Sequence, residues 1–225
     1  MTKPPSSKHD GHDEQIKIVF KFFLAEDIAA ITPPEVASYT TTSYLFAFTN
    51  LINRVNLANP TKLFPLKIKS YLINGEVKES IAFNDVSLIR DTRQIAKISI
   101  EINGAKKIDQ LLCDGCLIST PAGSSAYNLS LRGPVVPVDA QLLALTPISP
   151  YRPRRWRGAL LPNTVKITLT GIEEDKRPLR AEADFFEVKE IKKLEIELDK
   201  SQYMNLLFDK GHDLEERIIN EQFIY

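Results

Sequence analysis

The sequence has 225 residues, 43% of them hydrophobic and 26% charged, enough for one large or two small soluble domains with a real core. Its 29 basic and 29 acidic side chains cancel, which removes any global electrostatic case for nucleic-acid or membrane binding. No apolar run approaches the roughly 20 residues of a bilayer-crossing helix, and MTKPPSSKHDGHDEQ lacks the apolar stretch of a signal peptide, so a cytoplasmic protein is expected.

In chain order, residues 1–15 read as a polar, disordered tail. Its His9-Asp10-Gly11-His12-Asp13 cluster reads as solvated, with weak metal binding as the alternative. Ile16 to Leu24 predicts a first strand, and Ala25 to Ala30 a helical turn ended by Pro33-Pro34. Ser38 to Phe48 is rich in β-branched and aromatic residues and predicts a second strand. Asn50 to Leu57 spaces its apolar residues as a short amphipathic helix does. The expected division is a tail (1–15), a shortened N-terminal α/β segment (16–62), a β-rich domain (63–212) and a closing helix or tail (213–225).

From Leu63 onward the pattern is that of an antiparallel sheet. Leu66, Ile68, Ser70 and Leu72 alternate with Lys67, Lys69, Tyr71 and Ile73 before Asn74-Gly75. A second Asn-Gly, Asn103-Gly104, follows the run Lys97–Ile102. Asn-Gly between such runs signals a hairpin, because a type I′ turn needs positive φ at both central residues. Between the hairpins, Asn84-Asp85 reads locally as an Asx turn at a strand start. Cys113 and Cys116 are spaced C-x-x-C, but there is no second cysteine pair to complete a zinc site, so two partly buried thiols are expected.

The stretch Asp114–Ser130, DGCLISTPAGSSAYNLS, combines a short apolar strand, a Gly/Ser turn and a helix start. Gly123 permits the turn, and Ser124 and Ser125 are good N-cap residues. Free backbone N–H groups and hydroxyls gathered there suit a phosphate or a ribose, although an ordinary strand–turn–helix junction has the same local chemistry. Further on, Tyr151-Arg152-Pro153-Arg154-Arg155-Trp156-Arg157 sets four arginines around two aromatics. That composition fits RNA stacking or phosphate contacts. The balanced charge and the lack of an RNA-binding motif favour a nucleotide-proximal or subunit-interface loop. Val165–Leu169, Ala183–Val188, Leu194–Leu198 and Tyr203–Phe208 predict four more strands, and Asp213–Phe223 a closing helix.

TPAGSSAYNLS, with Asp114-Gly115 before it and Gly133-Pro134 after it, resembles the TP-x-GS-T/S-AY signature of the NAD kinase family. LALTPISPYRPRRWRGALLPN is similar to the segment that follows in bacterial, particularly alphaproteobacterial, members. The likeness runs from roughly Asn50 to the C-terminus. It implies an α+β fold: a β-rich, sandwich-like C-terminal domain of NAD kinase type, preceded by a shortened N-terminal α/β remnant.

The resemblance also implies ATP-dependent phosphorylation of the adenosine-ribose 2′-hydroxyl of NAD, with NAD, ATP and a divalent metal such as Mg as ligands, and a homodimer or homotetramer whose neighbouring subunit completes the site. Asn84 matches an Asn-Glu pair that holds the nicotinamide half of the dinucleotide, with Asp85 in place of the glutamate. Asp114, Ala122, Ser125, Ala126, Tyr127 and Ser130 are implied as dinucleotide contacts, Tyr127 through its aromatic face and Asp114 as a carboxylate near the nicotinamide. Asp184 corresponds to an Asp that begins a substrate-side turn. The family's phosphate-handling GGDG motif, whose Asp acts as base, has no counterpart among these residues, which contain no Gly-Gly pair. No catalytic base is therefore assigned, and a truncated or divergent N-terminal segment is expected. The alternatives are a non-catalytic NAD- or NADP-binding protein or subunit and, last, a nucleic-acid module built on the arginine loop.

Overall fold

Residues 41–208 are described by the computed structural model. The chain divides into two units, 1–55 and 56–225. The elements predicted at 16–30 and 213–223 lie outside the described residues. Helix α1, Thr41–Leu57, replaces the strand predicted over 38–48 and absorbs the short helix predicted from Asn50. Tyr44, Phe48, Leu51, Ile52 and Val55 recur at helical spacing in the sequence, and that period outweighs the β propensity of Thr41-Thr42.

The second unit is the expected β-rich sandwich. A two-stranded ribbon joins β1 (Asn59–Leu63) to β14 (Met204–Phe208). One six-stranded sheet consists of β2 (Leu66–Leu72), β3 (Val77–Ala82), β5 (Ala96–Ile102), β6 (Ala105–Cys113), β10 (Ile167–Gly171) and β13 (Ile191–Leu198), in the order β3-β2-β13-β10-β5-β6. The other consists of β4 (Asp85–Arg90), β7 (Gly115–Ser119), β8 (Leu142–Ile148), β9 (Ala159–Pro162), β11 (Leu179–Ala183) and β12 (Phe186–Val188), in the order β12-β11-β4-β7-β8-β9. Every described pairing is antiparallel.

Alternation fills the space between the sheets. Leu66, Ile68 and Leu72 of β2 meet Ile98 and Ile100 of β5 and Ile167 and Leu169 of β10 in one apolar core, because residues two apart share a face. Strand β7 is buried along its whole length. Ile118 faces the core, while Leu117 and its partner Thr146 on β8 are buried on the opposite face, where Asn128 reaches Thr146. The segment between β7 and β8 thus lies across the outside of the second sheet and carries the signature residues.

The two Asn-Gly pairs close different hairpins. Asn103 and Gly104 both have positive φ, +51° and +75°, and Ile102 pairs directly with Ala105, as a type I′ turn requires. At the other pair only Gly75 is left-handed, with φ +87°. There the loop has three residues, closed by the Gly75 N–H to Leu72 O at 3.1 Å and the Leu72 N–H to Glu76 O at 2.9 Å. The expected type I′ geometry is therefore absent at Asn74, whose side chain instead accepts the Glu76 N–H at 2.9 Å. Asn103 also ties its turn to the next strand: its Oδ1 accepts the Lys166 N–H at 2.8 Å and its own N–H donates to Lys166 O at 2.9 Å. Asn103→Val, which puts a β-branched residue at positive φ and removes that acceptor, is expected to cost about 2–3 kcal/mol, read as a lower urea midpoint.

Other strand expectations shift. Val165–Leu169 becomes Ile167–Gly171, and β8 and β9 were not predicted at all. The single strand predicted over Ala183–Val188 is instead the hairpin of β11 and β12, turning at Asp184-Phe185 with φ +47° at Asp184. Cys113 and Cys116 are wholly rather than partly buried, and both are free thiols. Burial pushes the Cys113 thiol up to about 12 and raises that of Cys116 well above its ordinary value. Reactive chemistry is thereby suppressed in the C-x-x-C pair.

Candidate functional site

Three chain segments meet at one end of the second sheet. Strand pairing sets them side by side: Asp85 at the start of β4 faces Ser119 at the end of β7, and Val86 faces Ala183 at the end of β11. The loop Phe83-Asn84-Asp85 is then fixed from both sides. On one side the Asp184 carboxylate accepts three backbone N–H groups, from Phe83 at 2.7 Å, Asn84 at 3.1 Å and Asp85 at 3.4 Å. On the other, the Thr120 hydroxyl donates to Phe83 O at 2.7 Å, and the Thr120 N–H donates to Asn84 O at 2.9 Å.

Gly123 completes the contact. A Cβ built there would lie 2.2 Å from Asn84 O and 2.6 Å from Asn84 Cα, so only a glycine allows the turn to press against the Asn84 backbone. With its backbone held in this way, Asn84 leaves its side chain exposed.

The turn continues as a single 3-10 turn, Ala122–Ser125, and a short helix α2, Tyr127–Ser130. Neither has a side-chain cap, contrary to the capping role expected of Ser124 and Ser125. Ser124 is occupied elsewhere: its hydroxyl donates to Pro121 O at 2.6 Å and accepts the Val136 N–H at 2.9 Å. The expected free N–H cradle is also reduced. The Gly123, Ser124 and Ala126 N–H groups donate to Thr120 Oγ1, Pro121 O and Gly123 O respectively. What the turn offers instead is side chains, with Ala126, Tyr127 and Ser130 exposed and Ala122 and Ser125 half-buried.

Asn128 anchors the segment and was not singled out by sequence reasoning. It is completely buried. Its amide donates to Ser124 O at 3.1 Å and Pro134 O at 2.9 Å, and its Oδ1 accepts the Thr146 hydroxyl at 2.6 Å. Its signal in the sequence is a polar residue inside the helix start that follows an apolar strand.

Electrostatics distinguish Asp85. Burial, then the neighbouring Asp184 and Glu182, push its carboxyl up to about 6. Glu182 is itself engaged by the Arg180 Nε at 2.7 Å. Among the described residues no group of three or more His, Cys, Asp or Glu is placed to hold a metal ion.

Asn84, Asp85 and Asp184 are thus brought together, with Ala122, Ser125, Ala126, Tyr127 and Ser130 on the adjoining turn. Asp114 is not. It precedes β7, so the five residues of that strand, at about 3.3 Å each, set it roughly 17 Å from the signature turn. There it forms an ion pair with the Arg90 Nε at 2.6 Å. The arginine loop lies at the same far end, because Gly115 pairs with Ile148 and the Leu112 N–H donates to Arg152 O at 2.8 Å. Tyr151 carries the guanidinium carbons of Arg152 and Arg154 at 5.6 and 5.3 Å from its ring centroid, while Trp156 packs against the core.

Most of the β-sandwich, with its glycine-dependent turn and the clamped Asn-Asp loop, falls within the reach of one family model, that of the ATP-NAD kinase C-terminal domain. The model of that domain matches residues 83–207. The NAD kinase of Caulobacter vibrioides is 44% identical over 203 residues, covering 89% of this chain and 78% of that protein. That of Xylella fastidiosa Temecula1 is 47% identical over 176 residues, covering 78% of this chain and 68% of that protein. This chain belongs to the NAD kinase family. Among solved structures it resembles yeast NADH kinase complexed with NADH, with a TM-score of 0.67 at 21% identity, covering 83% of this chain and 54% of that one. It also resembles an NAD kinase from Archaeoglobus fulgidus in complex with ATP, with a TM-score of 0.60 at 18% identity, covering 78% and 64%. These two likenesses concern the fold, and this chain spans between half and two thirds of each of those chains.

Proposed function

We propose that these residues form the dinucleotide-binding part of an NAD kinase, in which the γ-phosphoryl group of ATP passes to the 2′-hydroxyl of the adenosine ribose of NAD. The observation that carries this reading is the Asp184 clamp, which sets Asn84 and Asp85 beside the signature turn. Phosphoryl transfer depends mainly on positioning and charge stabilisation, and a backbone loop fixed by three N–H bonds supplies positioning. In this reading Asn84 and ionised Asp85 hold ribose or amide groups of the nicotinamide half, and Tyr127 offers an aromatic face. Ser125 and Ser130 donate or accept hydrogen bonds at the turn, with Ala122 and Ala126 leaving room for the ligand. Asp184 positions rather than touches.

Asp114 cannot join that set within one subunit. A homodimer or homotetramer, in which a neighbouring copy brings its own Asp114, reconciles its place in the family signature with its position in the fold. The ligands are small nucleotides. A divalent metal such as Mg is proposed to accompany the ATP phosphates, and no step is assigned to it. No helix among the described residues is long and apolar enough to cross a membrane, and the location proposed is cytoplasmic.

Calorimetric titration with NAD and NADP, beside an assay of ATP-dependent NADP formation, tests the reading. Turnover establishes the kinase. Binding without turnover makes the chain a non-catalytic dinucleotide binder, and absence of both refutes the proposal. The Asp85 carboxyl adds a pH signature. With a folded value of about 6 against an ordinary 3.8, it is mostly protonated at pH 5 and mostly ionised at pH 7. NAD affinity is expected to rise across that interval by about tenfold, one lost charge-assisted hydrogen bond being worth roughly 1.5–3 kcal/mol. Asp85→Asn is expected to flatten the profile. Stability should run the other way. The folded state holds this proton more tightly than the unfolded chain, so stability falls as pH rises from 3.8 toward about 6.

A further inference from the structure

The turn between β11 and β12 holds a side chain that the sandwich does not use. Phe185 is 98% exposed and its neighbour Phe186 67%. Phe186 has a structural explanation: it pairs with Ala183 and extends the inward row Leu145–Ile118–Val86–Ala183 to the sheet edge. Phe185 has none. A two-residue hairpin turn ordinarily takes Gly, Asn or Asp, and Asp184 with φ +47° obeys that preference. Phe185, in the second position, is not at positive φ, so the turn accepts a phenylalanine there but does not call for one, and with its ring 98% exposed packing does not call for it either.

Nor is the ring carried on a loose tip. On one side Asp184 is bonded to Phe83, Asn84 and Asp85, and its own N–H donates to Asp85 O at 3.3 Å. On the other, Phe186 is locked into the β11–β12 ladder. The Phe185 backbone therefore sits one residue from the clamp that presents the Asn84 side chain. An exposed aromatic ring beside an amide and a carboxylate matches a nucleoside, whose sugar hydroxyls bond to polar groups while its planar base seeks a flat apolar face.

We propose that Phe185 stacks on a base of the bound dinucleotide, and so contributes affinity and base specificity at the Asn84–Asp85 site. This rests on the dinucleotide reading above. The test is titration of the full chain and of Phe185→Ala with NAD, with ADP-ribose, which lacks the nicotinamide, and with nicotinamide mononucleotide, which lacks the adenine. Phe185→Ala is expected to weaken NAD binding by about tenfold, the scale of losing one base–aromatic stack. The same loss should appear with the fragment that retains the stacked base and vanish with the fragment that lacks it. Phe185→Trp should bind NAD at least as tightly as the parent.

Equal weakening toward NAD and both fragments would mean a disturbed loop rather than a lost stack, and would overturn the proposal. So would unchanged NAD affinity accompanied by a change in sedimentation, which would place Phe185 in a subunit contact. If the parent chain binds no dinucleotide, the underlying reading fails. If the parent binds and Phe185→Ala binds equally well, only the present inference fails.

Discussion

Gly123→Val is expected to abolish dinucleotide binding and to lower the unfolding free energy by about 3 kcal/mol or more, the upper range for overpacking a rigid site. The reason is the nature of the neighbour. A Cβ at this position meets the carbonyl oxygen, carbonyl carbon and Cα of Asn84, all within 2.6 Å. None of these atoms can swing aside as a side-chain tip could. The strain must move either the signature turn or the Phe83–Asp85 loop, and the loop is held by Asp184 and Thr120. Gly75 provides the control. It has positive φ but nothing within 4 Å of a built Cβ, so Gly75→Ala should cost only the backbone strain, about 1 kcal/mol, and leave binding intact. Urea unfolding and NAD titration of the two variants separate strain from collision.

Asn128→Leu should be nearly as damaging, at about 3 kcal/mol, although it conserves volume. The wild-type amide satisfies Ser124 O and Pro134 O and accepts the Thr146 hydroxyl, with Asn128, Ser124 and Thr146 all buried. Leucine leaves Ser124 O and the Thr146 hydroxyl unpaired in the interior, and each orphaned buried group costs roughly 1–3 kcal/mol. Thr146→Val removes one of the orphans. The double variant Asn128→Leu/Thr146→Val is therefore expected to be more stable than the sum of the single losses predicts, by about 1 kcal/mol in a double-mutant cycle. Strict additivity would show that the Asn128–Thr146 bond does not hold the segment down. Gly133 belongs to the same unit, since a Cβ there would lie 2.1 Å from Asn128 Oδ1.

The residues that were legible in advance share a property: their message is carried by local pattern. The alternation in β2, the apolar run of β7 and the double positive φ at Asn103-Gly104 follow from side-chain period and turn chemistry alone. The failures have two sources, one local pattern outweighed by another and tertiary context. Ser38–Phe48 reads as a strand on β propensity, yet from Thr41 the helical spacing that continues into Val55 prevails. Ala183–Val188 reads as one strand on its residues alone, and only the family resemblance points to a turn at Asp184, which the structure shows fixed by a loop a hundred residues earlier. At the candidate site, sequence reasoning named Asn84, Asp85 and Asp184 but not that the last clamps the other two. It also grouped Asp114 with Tyr127, which lies beyond the opposite end of β7. Asn128 escaped notice because a buried amide announces itself only through its partners, and Thr146 lies eighteen residues away.

The two sealed cysteines give this domain an internal gauge of its own opening. Cys113 and Cys116 have no surface in the native state, and burial disfavours their thiolates. A small disulfide reagent therefore reacts at the rate set by transient exposure of β6 and β7, not by intrinsic thiol chemistry. Because β7 lies between β4 and β8 at the heart of its sheet, labelling reports the breathing of the strand that leads into the signature turn. A bound nucleotide that steadies the turn would register as slower colour development in a simple chromogenic assay, without any probe attached to the protein.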